Sequence, residues 1–256
     1  MQIIFLRNAT LIIEVGGERI LVDPMLGEVG SLPPYAFFRH KPRFNPTVPL
    51  PSQFESSLDA VTIGLITHCR YAHFDHLDKA GWRHLTALKI PVYCNELDER
   101  YLRNRGINTH TLKPGKELPF LGGTLLPVIA THGYGLVGKL MGPGLGYVLS
   151  LPGEPTLYIS GDTVLTPSVR QVLTNNKPDI AILAAGAASL DIGKPILMPF
   201  SESIEFVRIA PGQVVATHME ALNHCPITRD QFREAITQEG LAHKVCIPFD
   251  GERLAL

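Results

Sequence analysis

The chain has 256 residues, 45% apolar and 18% charged, with 23 basic against 24 acidic side chains and a net charge of -1. That length and apolar share are enough for one packed domain, and the balanced charge gives no electrostatic reason to expect nucleic acid or an anionic membrane as a partner. The N-terminus lacks a basic stretch followed by a sustained apolar one, no apolar run reaches the ~18 residues that span a bilayer, and Cys69, Cys94, Cys225 and Cys246 form no CxxC pair; together these predict a cytoplasmic protein with reduced thiols.

Strands are predicted over residues 2–6, 10–15 and 19–22, short β-rich runs broken by turns such as Gly16-Gly17, the last ending at Asp23-Pro24. Residues 27–58 carry repeated prolines with Tyr35, Phe37 and Phe38 among them, and an unpatterned stretch that long predicts a lid or a binding loop. Its aromatics can equally well pack on the fold. Residues 60–67 are continuously apolar, as in a buried strand. Helices are predicted over 79–88 and 97–105, the second stopped by Gly106, with a strand at 92–94 between them. Further strands are expected at 124–131, 146–149, 156–159, 180–183 and 213–217. Helices are expected at 167–175, which Pro167 begins, at 201–209, and at 229–239, which Gly240 ends. The Gly-rich stretch 133–144 shows no helix start and predicts a mobile rim. Strands open both halves with helices between them and no visible repeat, so the pattern predicts one α/β domain over 1–256, a four-layer αββα sandwich.

Loops at strand ends, held by a rigid sheet, are where functional groups concentrate. The segment Thr67-His68-Cys69-Arg70-Tyr71-Ala72-His73-Phe74-Asp75-His76-Leu77-Asp78 places three histidines and two aspartates directly after an apolar strand. Imidazole nitrogens and carboxylate oxygens at that density suit Zn, Mn, Fe or Ni. A polar loop facing solvent is the plain alternative, but it leaves His132, Asp162 beside Gly161, and His218 unexplained, each just past a predicted strand. Singly these are weak signals; together they predict a metal centre. His224 and Cys225 follow His218 closely and read either as a loop imidazole with a buried thiol or as spare ligands or substrate contacts. Arg39, Lys41 and Arg43 on the 27–58 loop are candidates for an anionic substrate.

These motifs resemble the metallo-β-lactamase superfamily, closest to its branch of ascorbate-6-phosphate lactonase-like metal-dependent hydrolases. The residues that carry the resemblance are the opening Asn8-Ala9-Thr10-Leu11-Ile12-Ile13-Glu14, Gly16-Gly17, Val22-Asp23-Pro24, the His-x-Asp-His core at 73–76, His132, Asp162 and His218. The resemblance covers nearly the whole chain. It implies the metallo-β-lactamase fold, an αββα sandwich with one or two divalent ions, Zn or Mn, at its edge. Carried onto these positions it implies a first ion on His73 and His132, a second on Asp75, His76 and His218, Asp162 between them, and Asp23 as a support that orients ligands. It also implies a hydrolase acting on a lactone, ester or phosphoester of a small metabolite, with Asp75 and Asp162 orienting water and taking a proton, and a chain that assembles with copies of itself. A di-iron oxidoreductase of the same fold would need a flavin domain for which the length leaves no room.

One position departs from the pattern. The first histidine of the family core should stand two residues before His73, where this chain has Tyr71; His68 stands five before. Either residues 69–71 are an insertion that returns His68 to the ligand position, or that ligand is lost and the protein is a degenerate metal-binding or sensor protein. Thr67-His68 directly after the strand favours the insertion.

Overall fold

Strict alternation in the first hairpins decides how they pack. Ile3, Leu11, Ile13, Ile20 and Val22 point into one apolar layer, while Ile4, Leu6, Ile12 and Leu21 point into another. A sheet buried on both faces must lie between two other layers. The computed structural model, which describes residues 1–70 and 73–255, shows that arrangement. The strands are β1 (Gln2–Arg7), β2 (Thr10–Val15), β3 (Glu18–Val22), β4 (Ile63–Leu65), β5 (Pro91–Asn95), β6 (Asn108–Leu112), β7 (Leu118–Phe120), β8 (Gly123–Thr131), β9 (Pro143–Ser150), β10 (Leu157–Ile159), β11 (Ile180–Ala184), β12 (Gln213–Thr217), β13 (Val245–Cys246) and β14 (Glu252–Ala255).

They form two sheets, ordered β14-β1-β2-β3-β4-β5-β6 and β13-β12-β11-β10-β9-β8-β7. In the first, the pairs from β14 to β3 are antiparallel and those from β3 to β6 parallel. The second repeats the layout, parallel from β13 to β10 and antiparallel from β10 to β7. Leu145, Tyr147, Ile159, Ile182 and Val215 of the second sheet meet the first across the central layer. Outside, Leu85 of the helix Lys79–Leu88 and Leu102 of Glu99–Arg103 cover the first sheet. Phe206 of Phe200–Ile209 and Phe232 of Arg229–Gln238 cover the second. This is the αββα sandwich expected. Among the described residues no helix is long and apolar enough to cross a membrane.

Several local expectations need correction. The apolar run 60–67 pairs as a strand only over Ile63–Leu65, because the chain then bends so that Thr67 can reach Asp23. The helix expected over 97–105 is regular only over Glu99–Arg103, and the one over 167–175 passes into a π-helical turn at Val172–Asn176. The stretch 133–144 is no structureless rim: Gly135–Met141 is a helix, and Pro143 already belongs to β9. The short strands β6, β7, β13 and β14 lacked a sequence signal because edge strands alternate weakly and borrow their order from a neighbour.

The 27–58 stretch is pinned to the body. Arg7, fully buried, donates from its guanidinium to the carbonyls of Met25 at 3.1 and 2.8 Å, of Val48 at 3.0 Å, and of Gly27. Gly81 shows how tightly the site's support is packed. It lies in the first turn of Lys79–Leu88, where a Cβ would stand 1.9 Å from the Pro24 carbonyl oxygen. Gly81→Ala must therefore push the helix off the Asp23-Pro24 corner, and we expect a loss of about 3 kcal/mol, the upper end for overpacking, read as a lowered midpoint in urea. An unchanged midpoint would mean the corner is soft.

Candidate metal centre

Every residue of the predicted cluster stands at the C-terminal end of a strand: Asp23 after β3, His68, His73, Asp75 and His76 after β4, His132 after β8, Asp162 after β10 and His218 after β12. Three of these corners use the left-handed backbone, at Asp23 (φ 44), Gly161 (φ 61) and His218 (φ 62). At Gly161 a Cβ would stand 2.5 Å from the Leu145 carbonyl oxygen, so glycine is what lets β10 deliver Asp162 close to β9. His218 has no such freedom; its backbone N–H is held at 3.0 Å by the Asn8 carbonyl, and such a conformation in a non-glycine residue is tolerated where the surroundings over-determine it.

The side chains converge as two groups, His68 with His73 and His132, and Asp75 with His76, Asp162 and His218, the ligand atoms of each lying within 4.8 Å of one another. All are buried. In the first, the Nε2 atoms of His68 and His132 are 2.9 Å apart and the His73 and His132 rings stack at 4.8 Å. In the second, Asp162 Oδ2 lies 3.1 Å from His76 Nε2 and 3.5 Å from His218 Nε2, and Asp75 Oδ2 lies 3.5 Å from both nitrogens. His68 and His76 join the groups, with ring centroids 4.0 Å apart.

The outward faces of the five rings explain why the inward faces matter. Asp23 accepts from the Thr67 hydroxyl at 2.6 Å, from the Thr67 backbone N–H at 2.8 Å and from His76 Nδ1 at 2.8 Å. The Thr67 hydroxyl has thus spent its proton and accepts from His68 Nδ1 at 2.9 Å. His73 Nδ1 donates to the Arg70 carbonyl, His132 Nδ1 to the Ile196 carbonyl at 3.4 Å, and His218 Nδ1 faces Cys225 Sγ at 3.5 Å. Five imidazoles are therefore anchored through Nδ1 and present Nε2 to a common centre, the outer-partner arrangement that fixes the tautomer of metal-binding histidines. His73 Nε2 and His218 Nε2 have no hydrogen-bond partner among the described residues. Two Nε2 lone pairs facing each other at 2.9 Å repel unless a cation lies between them, so the donor set fits divalent metal.

Charge divides the groups. Burial, with the neighbouring imidazoles, holds His68 well below its ordinary pKa; burial also lowers His73, and brings His132 to about 4. These three are neutral donors. Burial acts the same way on His76, but Asp162, Asp75 and Asp23 outweigh it and hold His76 well above the usual range; Asp162 does the same for His218. Burial would raise Asp75 and Asp162 in turn, yet His76 and His218 keep both low. A cation needs the lone pairs that these two raised histidines hold protonated, so loading must release protons and weaken as pH falls toward and below neutrality. Calorimetry of Zn2+ binding to metal-stripped protein, in two buffers of different ionisation enthalpy, should show net proton release at pH 7; none would remove His76 and His218 from the ligand set.

The substrate candidates are placed differently. Arg39, Lys41 and Arg43 are exposed, and the Arg39 guanidinium rests on the Gly193 carbonyl at 3.1 Å. His224 is buried beside the second group, its ring 4.8 Å from Tyr35. Tyr71, the residue that raised the question of a lost ligand, lies outside the described residues; His68 nevertheless sits in the first group. What single residues could not announce is the supporting set of Thr67, the Arg70 and Ile196 carbonyls and Cys225. Only Thr67, adjacent to His68, and Cys225, close after His218, carried any signal.

Comparison with known proteins shows the family. The family profile of the beta-lactamase superfamily domain matches residues 2–218. The chain is 30% identical to the UPF0173 protein YddR of Bacillus subtilis, covering 98% of both chains. It is also 30% identical to a UPF0173 metal-dependent hydrolase of Methanocorpusculum labreanum, over 95% of this chain and 94% of that one. Among solved structures, the isothiocyanate hydrolase from Delia radicum gut bacteria superposes with a TM-score of 0.90 at 33% identity, covering 100% of this chain and 99% of the other.

Proposed function

This chain belongs to the beta-lactamase superfamily as a metal-dependent hydrolase, and from that premise we propose that it adds water to an electrophilic carbon of a small molecule, a lactone or ester carbonyl in preference to a phosphoester. The observation that carries the reading is the set of five Nε2 atoms and two carboxylates gathered into two adjacent ligand groups while every Nδ1 is engaged elsewhere. Divalent cations bound there, Zn or Mn, would supply Lewis acidity and bring the pKa of water down to about 7.

His68, His73 and His132 would hold one cation without charge, and Asp75, His76, Asp162 and His218 would hold a second while offsetting part of its charge. Asp23 keeps His76 and, through Thr67, His68 in their tautomers. Asp75 and Asp162 orient the attacking water, and one accepts its proton. For an ester, a C–O bond forms to water, the old C–O bond breaks, and the proton passes to the departing alkoxide. No serine or cysteine nucleophile is needed: burial raises the Cys225 thiol, which His218 only partly offsets, and Ser160 Oγ donates to the Gly161 carbonyl at 2.8 Å.

The preference for carbon over phosphorus follows from the surroundings. Met25, Phe74, Ile196, Leu222 and Tyr35 form an apolar cluster along the segments that carry the ligands, and the basic residues of the 27–58 loop are exposed. The 33% identity to an isothiocyanate hydrolase supports a second substrate of the same type, since the central carbon of an isothiocyanate is also an uncharged electrophile. Turnover of γ-butyrolactone, phenyl acetate, phenethyl isothiocyanate and bis(p-nitrophenyl) phosphate by Zn- and Mn-loaded protein, with metal content measured in parallel, tests the reading. Metal bound with no turnover of any of them would leave only a binding or sensor role.

A further inference from the structure

We propose that Tyr35 and His224 form the substrate wall of the metal centre, a pair of neutral hydrogen-bonding groups that hold a heteroatom of a small uncharged substrate against the second ligand group. The proposal rests on the hydrolytic reading above and adds to it the residues that select the substrate and the charge class they accept.

Two polar atoms here are buried without a partner among the described residues, the Tyr35 hydroxyl and His224 Nδ1. Buried donors and acceptors are normally satisfied, and an unsatisfied pair at a catalytic centre is what remains when the partner is a ligand. Both side chains border the cluster: the Tyr35 hydroxyl lies beside Asp75, and His224 lies in the field of Asp75, His218 and Asp162. The rings meet edge to face at 4.8 Å.

Their placement is built. Asn223, next to His224, accepts from the Tyr35 backbone N–H at 2.9 Å and from Asn45 Nδ2 at 3.1 Å, donates to the Ala36 carbonyl at 2.7 Å, and is itself held by Asn45 Oδ1 at 2.9 Å. Thr47 ties the same loop to the Glu220 carbonyl at 2.6 Å. One asparagine thus registers the 27–58 loop against the segment after His218, and fixes Tyr35 and His224 relative to the ligands. The wall they make carries no cation, so it suits a neutral heteroatom and gives a phosphate no counter-charge.

The test uses 2-pyrrolidinone as a small neutral carbonyl probe on the Zn-loaded protein. Tyr35→Phe keeps the ring and removes only the hydroxyl; we expect unchanged metal content, about tenfold weaker 2-pyrrolidinone binding by calorimetry, and kcat on phenyl acetate lowered by about 10²-fold with KM nearly unchanged, as for loss of one donor to a developing oxyanion. Unchanged affinity and kcat would overturn the assignment, as would faster turnover of bis(p-nitrophenyl) phosphate than of phenyl acetate by the wild type. Should Tyr35→Phe lose its metal, the same affinities measured on His224→Gln decide. A wild type that turns over none of the probes counts against the hydrolase reading alone, because the 2-pyrrolidinone affinities still report on the wall.

Discussion

Asp162→Ala is expected to abolish hydrolysis, with a loss of at least ~10²–10³ in kcat and so ~3–4 kcal/mol of barrier, while the chain still folds. Among the described residues Asp162 is the one carboxylate hydrogen-bonded to His76 Nε2, at 3.1 Å, and it also stands 3.5 Å from His218 Nε2. Its charge reaches His68 in the other group as well. Its removal therefore weakens the attraction for cation at both groups. Breaking a buried ion pair can cost ~3–5 kcal/mol of stability, but here Asp75 stays 3.5 Å from both nitrogens and Asp23 stays 2.8 Å from His76, so the cost should fall below that range. Asp162→Asn separates charge from shape: it should bind less metal and remain inactive. Metal analysis, turnover and a thermal melt on the two variants decide. A fully active alanine variant would end the mechanism.

His68→Ala should lower the bound metal by up to one equivalent and reduce activity by more than the ~10–100-fold that loss of an outer-shell partner costs. Three neutral imidazoles make up the first group, and His68 is the member whose Nε2 faces His132 at 2.9 Å. Its ring is seated by Thr67 on one side and by Gly144 on the other, where a Cβ would already stand 3.3 Å from the ring. The Thr67 carbonyl accepts from Leu145 N at 2.9 Å, which locks the same corner to the second sheet. A variant with unchanged metal content and activity would mean that this imidazole is structural and that the first ligand has been lost from the family pattern.

Much of the architecture was legible because it follows from period and punctuation. The β-rich runs at residues 10–15 and 213–217 need no partner to be read as strand, and Thr10–Val15 and Gln213–Thr217 form with those bounds. The C-terminal helix was equally plain from the Gly240 that ends it (φ 70), and the fold adds a capping box of Thr228 and Gln231 at its start. Residues 135–141 were not legible, because Gly135 and Gly138 have poor intrinsic helix propensity and only the packing of Val137 and Met141 against the cluster of Met25 and Ile196 makes a helix there. The matched layouts of the two sheets were equally hidden, since pairing order is a property of contacts and different side chains can fill the same layer.

By itself the sequence determined the type of chemistry: seven His and Asp side chains at the ends of apolar strands admit few uses other than a cation, because so many polar groups are costly to bury unless something binds them. The resemblance supplied a pairing of these residues; tertiary structure decided that His68 joins His73 and His132 and that Asp162 groups with Asp75, His76 and His218. His68 and His132 are 64 residues apart and their Nε2 atoms 2.9 Å, and the sorting of ligands into a neutral and an anionic group depends on where strand ends meet. It also decided that the 27–58 stretch is pinned to the body, through Arg7, Asn45 and Asn223. Those hydrogen bonds join positions far apart in the chain, and no local pattern encodes a partner that only folding brings within reach.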